Sequence, residues 1–237
     1  MQILKNLYQV GGDQHGLTWA GVDAGFEDCN TYVLDTGQGL ILFDAGCGDT
    51  LDQIDANIRY WGLDPADIRY CLLTHAHFDH AAGAHLWQAR GVELFAHWNT
   101  AEAMAAGDER CCGYLYHKPF TPCVVDRTVE DGEVIDLLGV QIAVMHLPGH
   151  SMGCTAYFFA HEGRRIVVSG DVIGTLNVGH FGWSGSFDFD KTHYLESLKR
   201  FARIDTDLML SGHGPLAHYQ PRRRAEISLN IALMEWR

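Results

Sequence analysis

Within the stretch LLTHAHFDHAAG, Leu72 to Gly83, four side chains able to hold a metal fall inside six residues: His75, His77, Asp79 and His80. Packing does not account for that density, because each carries a polar group that needs a partner once buried. Imidazole and carboxylate together suit zinc, iron or manganese better than calcium or magnesium, which prefer all-oxygen shells. Three later turns carry the same residue types: PGHS with His150, SGD with Asp171 and SGHGP with His213. His75, His77, Asp79, His80, His150, Asp171 and His213 exceed the needs of one tetrahedral ion and divide between two, with a carboxylate able to bridge. Two ions sharing a water make hydroxide near neutral pH and polarise the group it attacks, so the expected chemistry is hydrolysis.

Residues so far apart in sequence need a scaffold that brings strand ends to one edge. NTYVLDTGQGLILFDAG reads as two short β runs around a turn at Thr36 to Gly39, a hairpin. DTLDQIDANIRYWGL spaces Leu51, Ile54, Ile58 and Trp61 as a helix that covers a sheet. IRYCLLTH predicts a strand ending on His75, VELFAH another, and the run from His80 to Gln88 a helix between them. VQIAVMHLPGH, TAYFFAHEGRRIVVSGD and DLMLSGHG repeat one design, an apolar strand ending in the turn that bears His150, Asp171 or His213. KTHYLESLKRFARI places Leu195, Leu198, Phe201 and Ile204 on one helical stripe, and RRRAEISLNIALMEWR predicts a last amphipathic helix. The alternation predicts a layered α/β structure with functional turns at the strand ends.

The bulk composition narrows the partners. The 237 residues contain 47% hydrophobic and 20% charged side chains, ordinary for one globular domain spanning 1–237. Thirty acidic against 17 basic side chains give a net charge of -13, which repels phosphate backbones and anionic lipid. Nucleic acid and membrane are therefore not expected partners. MQILKNLYQV lacks the features of a signal peptide, and no long apolar run follows, so a cytoplasmic protein is expected. Seven scattered cysteines without a C-x-x-C pair argue against a disulfide framework or a zinc knuckle; reduced, buried thiols are expected.

HAHFDH, an H-x-H-x-D-H signature, followed in order by PGHS, SGD and SGHGP, closely resembles the metallo-β-lactamase superfamily of hydrolases over about Asn30 to Gly214. The resemblance implies a four-layer αββα sandwich with two divalent metal ions at one edge, zinc first and iron or manganese as alternatives. Carried over by position, His75, His77 and His150 would hold the first ion, Asp79, His80 and His213 the second, and Asp171 would bridge them. Asp44, at the end of the hairpin, would orient a ligand histidine. The pattern departs from many zinc β-lactamases, which lack the bridging carboxylate, and from the flavodiiron branch, which has glutamate where His77 stands. Glyoxalase II enzymes match the metal set but in their longer forms add a helical domain after the last ligand, where only a short tail follows His213. Acyl-homoserine lactonases and related esterases or thioesterases fit best. The expected enzyme is a dinuclear metallohydrolase cleaving an ester, lactone or thioester bond, with Asp79 and Asp171 as its catalytic carboxylates. The alternatives are a mononuclear iron persulfide dioxygenase and a metal-binding regulator without turnover.

A small-molecule acyl substrate is the expected partner. Its pocket is sought in GLTWAGVDAGFED with Trp19 and Phe26, in DERCCGYLYHKPF with Tyr114 and Tyr116, and in IGTLNVGHFGWSGSFDFD with His180, Phe181, Trp183, Phe187 and Phe189. The aromatic loop could equally form a homodimer contact. Cys111-Cys112 is more simply incidental than a redox pair, and Arg222-Arg223-Arg224 reads as a solvated helix face. His15, His85, His97, His117, His146, His161, His193 and His218 read as surface or satisfied core groups.

Overall fold

The computed structural model describes residues 1–12, 28–173 and 182–236. Seven strands form the first sheet in chain order: β1 (Gln2–Leu4), β2 (Leu7–Gln9), β3 (Tyr32–Asp35), β4 (Leu40–Phe43), β5 (Ile68–Leu72), β6 (Glu93–His97) and β7 (Arg127–Val129). β3 and β4 are the expected antiparallel hairpin, closed by Thr36 and Gly39, whereas β4, β5, β6 and β7 run parallel. The second sheet comprises β8 (Val134–Leu137), β9 (Val140–His146), β10 (Thr155–His161), β11 (Arg164–Gly170) and β12 (Leu208–Ser211), ordered β12-β11-β10-β9-β8. The segment TAYFFAHEGRRIVVSGD is therefore a hairpin, β10 and β11, turned at Glu162 and Gly163, both with positive φ.

Strand alternation sorts the apolar residues into layers. Ile41, Phe43 and Leu72 from the first sheet meet Val144, Tyr157, Phe159 and Val168 from the second, with the Phe43 and Phe159 rings stacked at 5.5 Å. Val33, Leu42 and Leu94 point the other way, under Ile54 and Ile58 of α1 (Leu51–Tyr60) and Trp87 of α3 (Ala84–Ala89). On the far side, Val167 and Met209 lie under Tyr194, Leu198 and Phe201 of α5 (Lys191–Phe201) and Ala225 and Ala232 of α6 (Pro221–Glu235). The four layers are helix, sheet, sheet, helix, as expected from the motifs.

Two expectations need correction. The run from His80 to Gln88 is two short helices, α2 (Phe78–Ala81) and α3, because Gly83 presses against the chain after β4. A Cβ there would lie 2.4 Å from the Ala45 carbonyl oxygen, so only glycine lets the two segments touch. The stripe assigned to α5 omits Tyr194, which is fully buried, whereas Leu195 is only half-buried.

β4, β5, β9, β11 and β12 all end at the same edge, since β9 is antiparallel to β10 and β10 to β11. The turns that follow carry Asp44, His75, His150, Asp171 and His213.

Candidate metal centre

β5 stops at Leu72, and Leu73 and Thr74 lead into His75 at the mouth between the sheets. His77 then precedes α2, whose first turn puts Asp79 and His80 on adjacent positions facing the turns of the second sheet. Two donor triads result, in each of which one ligand atom per residue lies within 4.8 Å of the others: His75, His77 and His150, and Asp79, His80 and His213. Asp171 stands between them. Its Oδ1 is 3.3 Å from His80 Nε2, and its Oδ2 is 3.5 Å from His150 Nε2 and 3.6 Å from His213 Nε2. All seven candidate ligands are thus brought together, and all but the half-buried His213 are buried.

The contacts inside the cluster suit a cation better than they suit one another. His77 Nδ1 meets His150 Nε2 at 3.1 Å, and His80 Nε2 meets His213 Nε2 at 3.3 Å, so ring nitrogens converge in pairs that can share only one proton. His75 Nε2, His77 Nε2 and Asp171 Oδ1 are buried without a hydrogen-bond partner. Orphaned acceptors of this kind at the focus of three imidazoles and a carboxylate fit a divalent ion with borderline-soft preferences.

Electrostatics separates the two triads. Burial, reinforced by neighbouring imidazoles, holds His75 and His77 well below the ordinary histidine range, and burial lowers His150 too, so these three are neutral and ready to ligate. Burial also opposes charge on His80 and His213, but surrounding anions outweigh it: Asp79 and Asp171 raise both rings. Asp79, whose Oδ2 lies 2.8 Å from His213 Nε2, is lowered to about 2 against the cost of burial, by His80 and His213.

A surrounding set of contacts aims the rings. Asp44 follows β4 with a left-handed φ of 58°, a conformation that Asp tolerates better than most residues. Its Oδ1 accepts the Thr74 N–H at 2.7 Å, while Oδ2 accepts the Thr74 hydroxyl and faces His80 Nδ1, each at 2.9 Å. That arrangement holds a proton on His80 Nδ1, so Nε2 is the nitrogen that would give up its proton to ligate. His150 Nδ1 likewise donates to the Trp183 carbonyl at 2.7 Å. Sequence reasoning missed Thr74 and the Trp183 backbone, which carry no motif. It also missed Cys29, whose buried thiol lies with Asp44 against His80.

Of the residues expected to touch substrate, Tyr114 and Trp183 stand at the surface, 47% and 41% exposed, and the Trp183 backbone adjoins His150. Tyr116 stacks its ring on Phe78 at 4.9 Å, and its hydroxyl lies against Asp79. His180 and Phe181, together with Trp19 and Phe26, lie outside the described residues. All seven cysteines are free and buried, and Cys112 donates weakly to the Tyr114 hydroxyl at 3.8 Å.

Helices on both outer faces of two packed sheets, with histidines and aspartates from five turns meeting at one edge, define a class of metal-binding hydrolase. Residues 24–213 match the family model for the metallo-beta-lactamase superfamily, and the chain belongs to that superfamily. It is 27% identical over 202 residues to the probable metallo-hydrolase YqgX of Bacillus subtilis, covering 84% of this chain and 91% of that one. It is 28% identical to a hydroxyacylglutathione hydrolase of Acidiphilium cryptum, covering 80% of this chain and 69% of the relative. An atrochrysone carboxyl ACP thioesterase of Aspergillus fumigatus is also 28% identical, over 78% of this chain but only 50% of its own length. Among solved structures, a motif mutant of a metallo-beta-lactamase from Cronobacter sakazakii superposes with a TM-score of 0.77 at 24% identity, covering 100% of this chain and 94% of that one, a likeness of fold.

Proposed function

We propose that the protein is a dinuclear metallohydrolase that cleaves an activated acyl bond, with a thioester as the first candidate over an oxygen ester or lactone. The observation that carries the reading is the position of Asp171, whose two oxygens reach toward histidines of both triads. A carboxylate so placed is within reach of ions at both triads. His75, His77 and His150 would hold one, Asp79, His80 and His213 the other, and Asp171 would bridge. Two divalent ions there supply an activated water and an electrophilic pull on the acyl carbonyl. Support for the bond type comes from two relatives whose names specify a thioesterase and the hydrolysis of a glutathione acyl conjugate.

The chain's own residues do the positioning. Asp44 keeps the His80 ring in the ligating tautomer, and the Trp183 carbonyl does so for His150. Asp79 presents Oδ2 to the second triad and would orient the nucleophile beside it. Trp183, whose carbonyl receives His150, also exposes apolar ring surface, which suits an acyl chain or ring.

Elemental mass spectrometry on protein purified without chelator, followed by rates on thioester, lactone and β-lactam panels, tests the reading. About two zinc, iron or manganese ions per chain and turnover of an acyl panel are expected. A single iron with oxygen uptake on a persulfide would overturn it. Asp171→Ala should abolish turnover while leaving the circular dichroism spectrum intact; an unaltered rate would remove Asp171 from the centre.

A further inference from the structure

Tyr194 lies on α5, behind the site, and would pass as a core aromatic. Its ring does pack as one, against Phe189 at 6.2 Å and Trp236 at 5.6 Å. Its hydroxyl has a separate occupation. It accepts the Gly182 N–H at 2.5 Å and lies 3.1 Å from the Asp171 carbonyl oxygen and 3.0 Å from that of Val172, to which its one proton is shared. The next residue, Trp183, supplies the carbonyl that receives His150 Nδ1–H. One buried hydroxyl therefore fixes the backbone of Asp171 directly and the imidazole of His150 through a single peptide unit.

Space around this junction is closed. A Cβ on Gly182 would lie 2.0 Å from the Asp171 carbonyl oxygen, 2.8 Å from the Tyr194 hydroxyl and 3.1 Å from His150 Nδ1. A Cβ on Gly149, beside His150, would lie 2.3 Å from the Tyr194 backbone. Both glycines permit a close approach that any side chain would prevent. The turn bearing His150 is also held from the same loop, by Ser186 Oγ donating to the His150 carbonyl at 2.5 Å and by Met152 N–H donating to Asp188 Oδ2 at 2.8 Å.

We infer that Tyr194 is a positioning residue of the metal centre, whose hydroxyl sets His150 and Asp171 in one mutual geometry. The inference rests on the metal reading above. It separates the ring from the hydroxyl: the ring belongs to the core, and the hydroxyl belongs to the centre.

Tyr194→Phe keeps the ring and removes the hydroxyl, and Phe189→Leu disturbs the same packing while leaving the hydroxyl in place. Zinc affinity is measured on each by chelator competition, and ligand geometry by the visible absorption of the cobalt-substituted protein. Tyr194→Phe is expected to weaken zinc binding about 10- to 100-fold and to change the cobalt spectrum. Phe189→Leu is expected to lower the unfolding temperature of the metal-free chain with zinc affinity and spectrum unchanged. Should Tyr194→Phe fail to fold, Gly182→Ala, which displaces the peptide between the hydroxyl and His150, is expected to show the same loss. Wild-type affinity and an unchanged spectrum in a folded variant would overturn the inference. Absence of zinc or cobalt binding by the wild-type chain would instead overturn the metal reading beneath it.

Discussion

Replacing Asp44 by asparagine changes one atom at a position that the backbone already favours for either residue, since both tolerate the left-handed φ of 58°. The carboxylate now receives three contacts: Thr74 N–H, Thr74 Oγ–H and His80 Nδ1–H. An asparagine oxygen placed to accept from Thr74 N–H leaves its amide NH2 pointing at Thr74 Oγ1 and His80 Nδ1. The threonine hydroxyl can rotate and accept, but the histidine can do so only by moving its proton to Nε2, which then cannot ligate. Removing such a partner costs about 10- to 100-fold in metal affinity, equivalent to ~1.4–2.7 kcal/mol. Loss of a buried charge-assisted bond should also lower stability by about 1–3 kcal/mol. Chelator competition reads the first quantity, and urea unfolding of the metal-free chain reads the second. Long-range nitrogen NMR of the imidazoles should show His80 switching from the Nδ1–H to the Nε2–H tautomer. Wild-type affinity with the proton still on Nδ1 would refute the assignment of Asp44 as the group that selects the tautomer.

Phe43→Ala removes a ring stacked at 5.5 Å on Phe159 between the sheets and should cost about 3–5 kcal/mol in urea unfolding. The stacked imidazoles of His97 and His146, 3.7 Å apart, should make the protein acid-sensitive. Burial, and then His146, lowers His97 from 6.5 to about 4, so in that window the unfolded chain binds more protons and stability falls as pH drops from about 6.5 to about 4. His97→Asn keeps an acceptor for the Asn99 N–H at the start of α4 (Trp98–Ala106) and should flatten that pH dependence of the unfolding temperature; an unchanged slope would place the sensitivity elsewhere. Trp183→Ala should raise KM for an acyl substrate more than it lowers kcat, because its exposed ring faces solvent beside the site while its carbonyl, which holds His150, survives the substitution.

Much of this was legible from side-chain type and spacing alone. Two β-rich runs around turn residues marked the hairpin before Asp44, and the four motifs pointed to the seven histidines and aspartates that meet at the edge, because imidazole and carboxylate are recognisable by type. What escaped was carried by the backbone or by residues with two offices. The Trp183 carbonyl has no sequence signature. Tyr194 reads as core because its ring is core. The break between α2 and α3 follows from Gly83 meeting the Ala45 carbonyl, a tertiary contact that helical periodicity cannot register. The contact of the Tyr116 hydroxyl with Asp79 likewise has no sequence signature, because stacking on Phe78 is what turns the ring that way.

The cluster draws His75, His77, Asp79 and His80 from the end of the first sheet and His150, Asp171 and His213 from the ends of the second. An ion held there would be a clasp across the seam between two halves that otherwise adhere by apolar contact and a few buried hydrogen bonds, such as Tyr32 to the Ser211 carbonyl and Tyr157 to the Leu73 carbonyl. Loading and folding then become one equilibrium: free metal at about 100 times its dissociation constant adds ~2.7 kcal/mol to the stability of the whole molecule. Scarcity of such an ion would then be felt as a loss of stability at the seam, where both halves contribute its ligands.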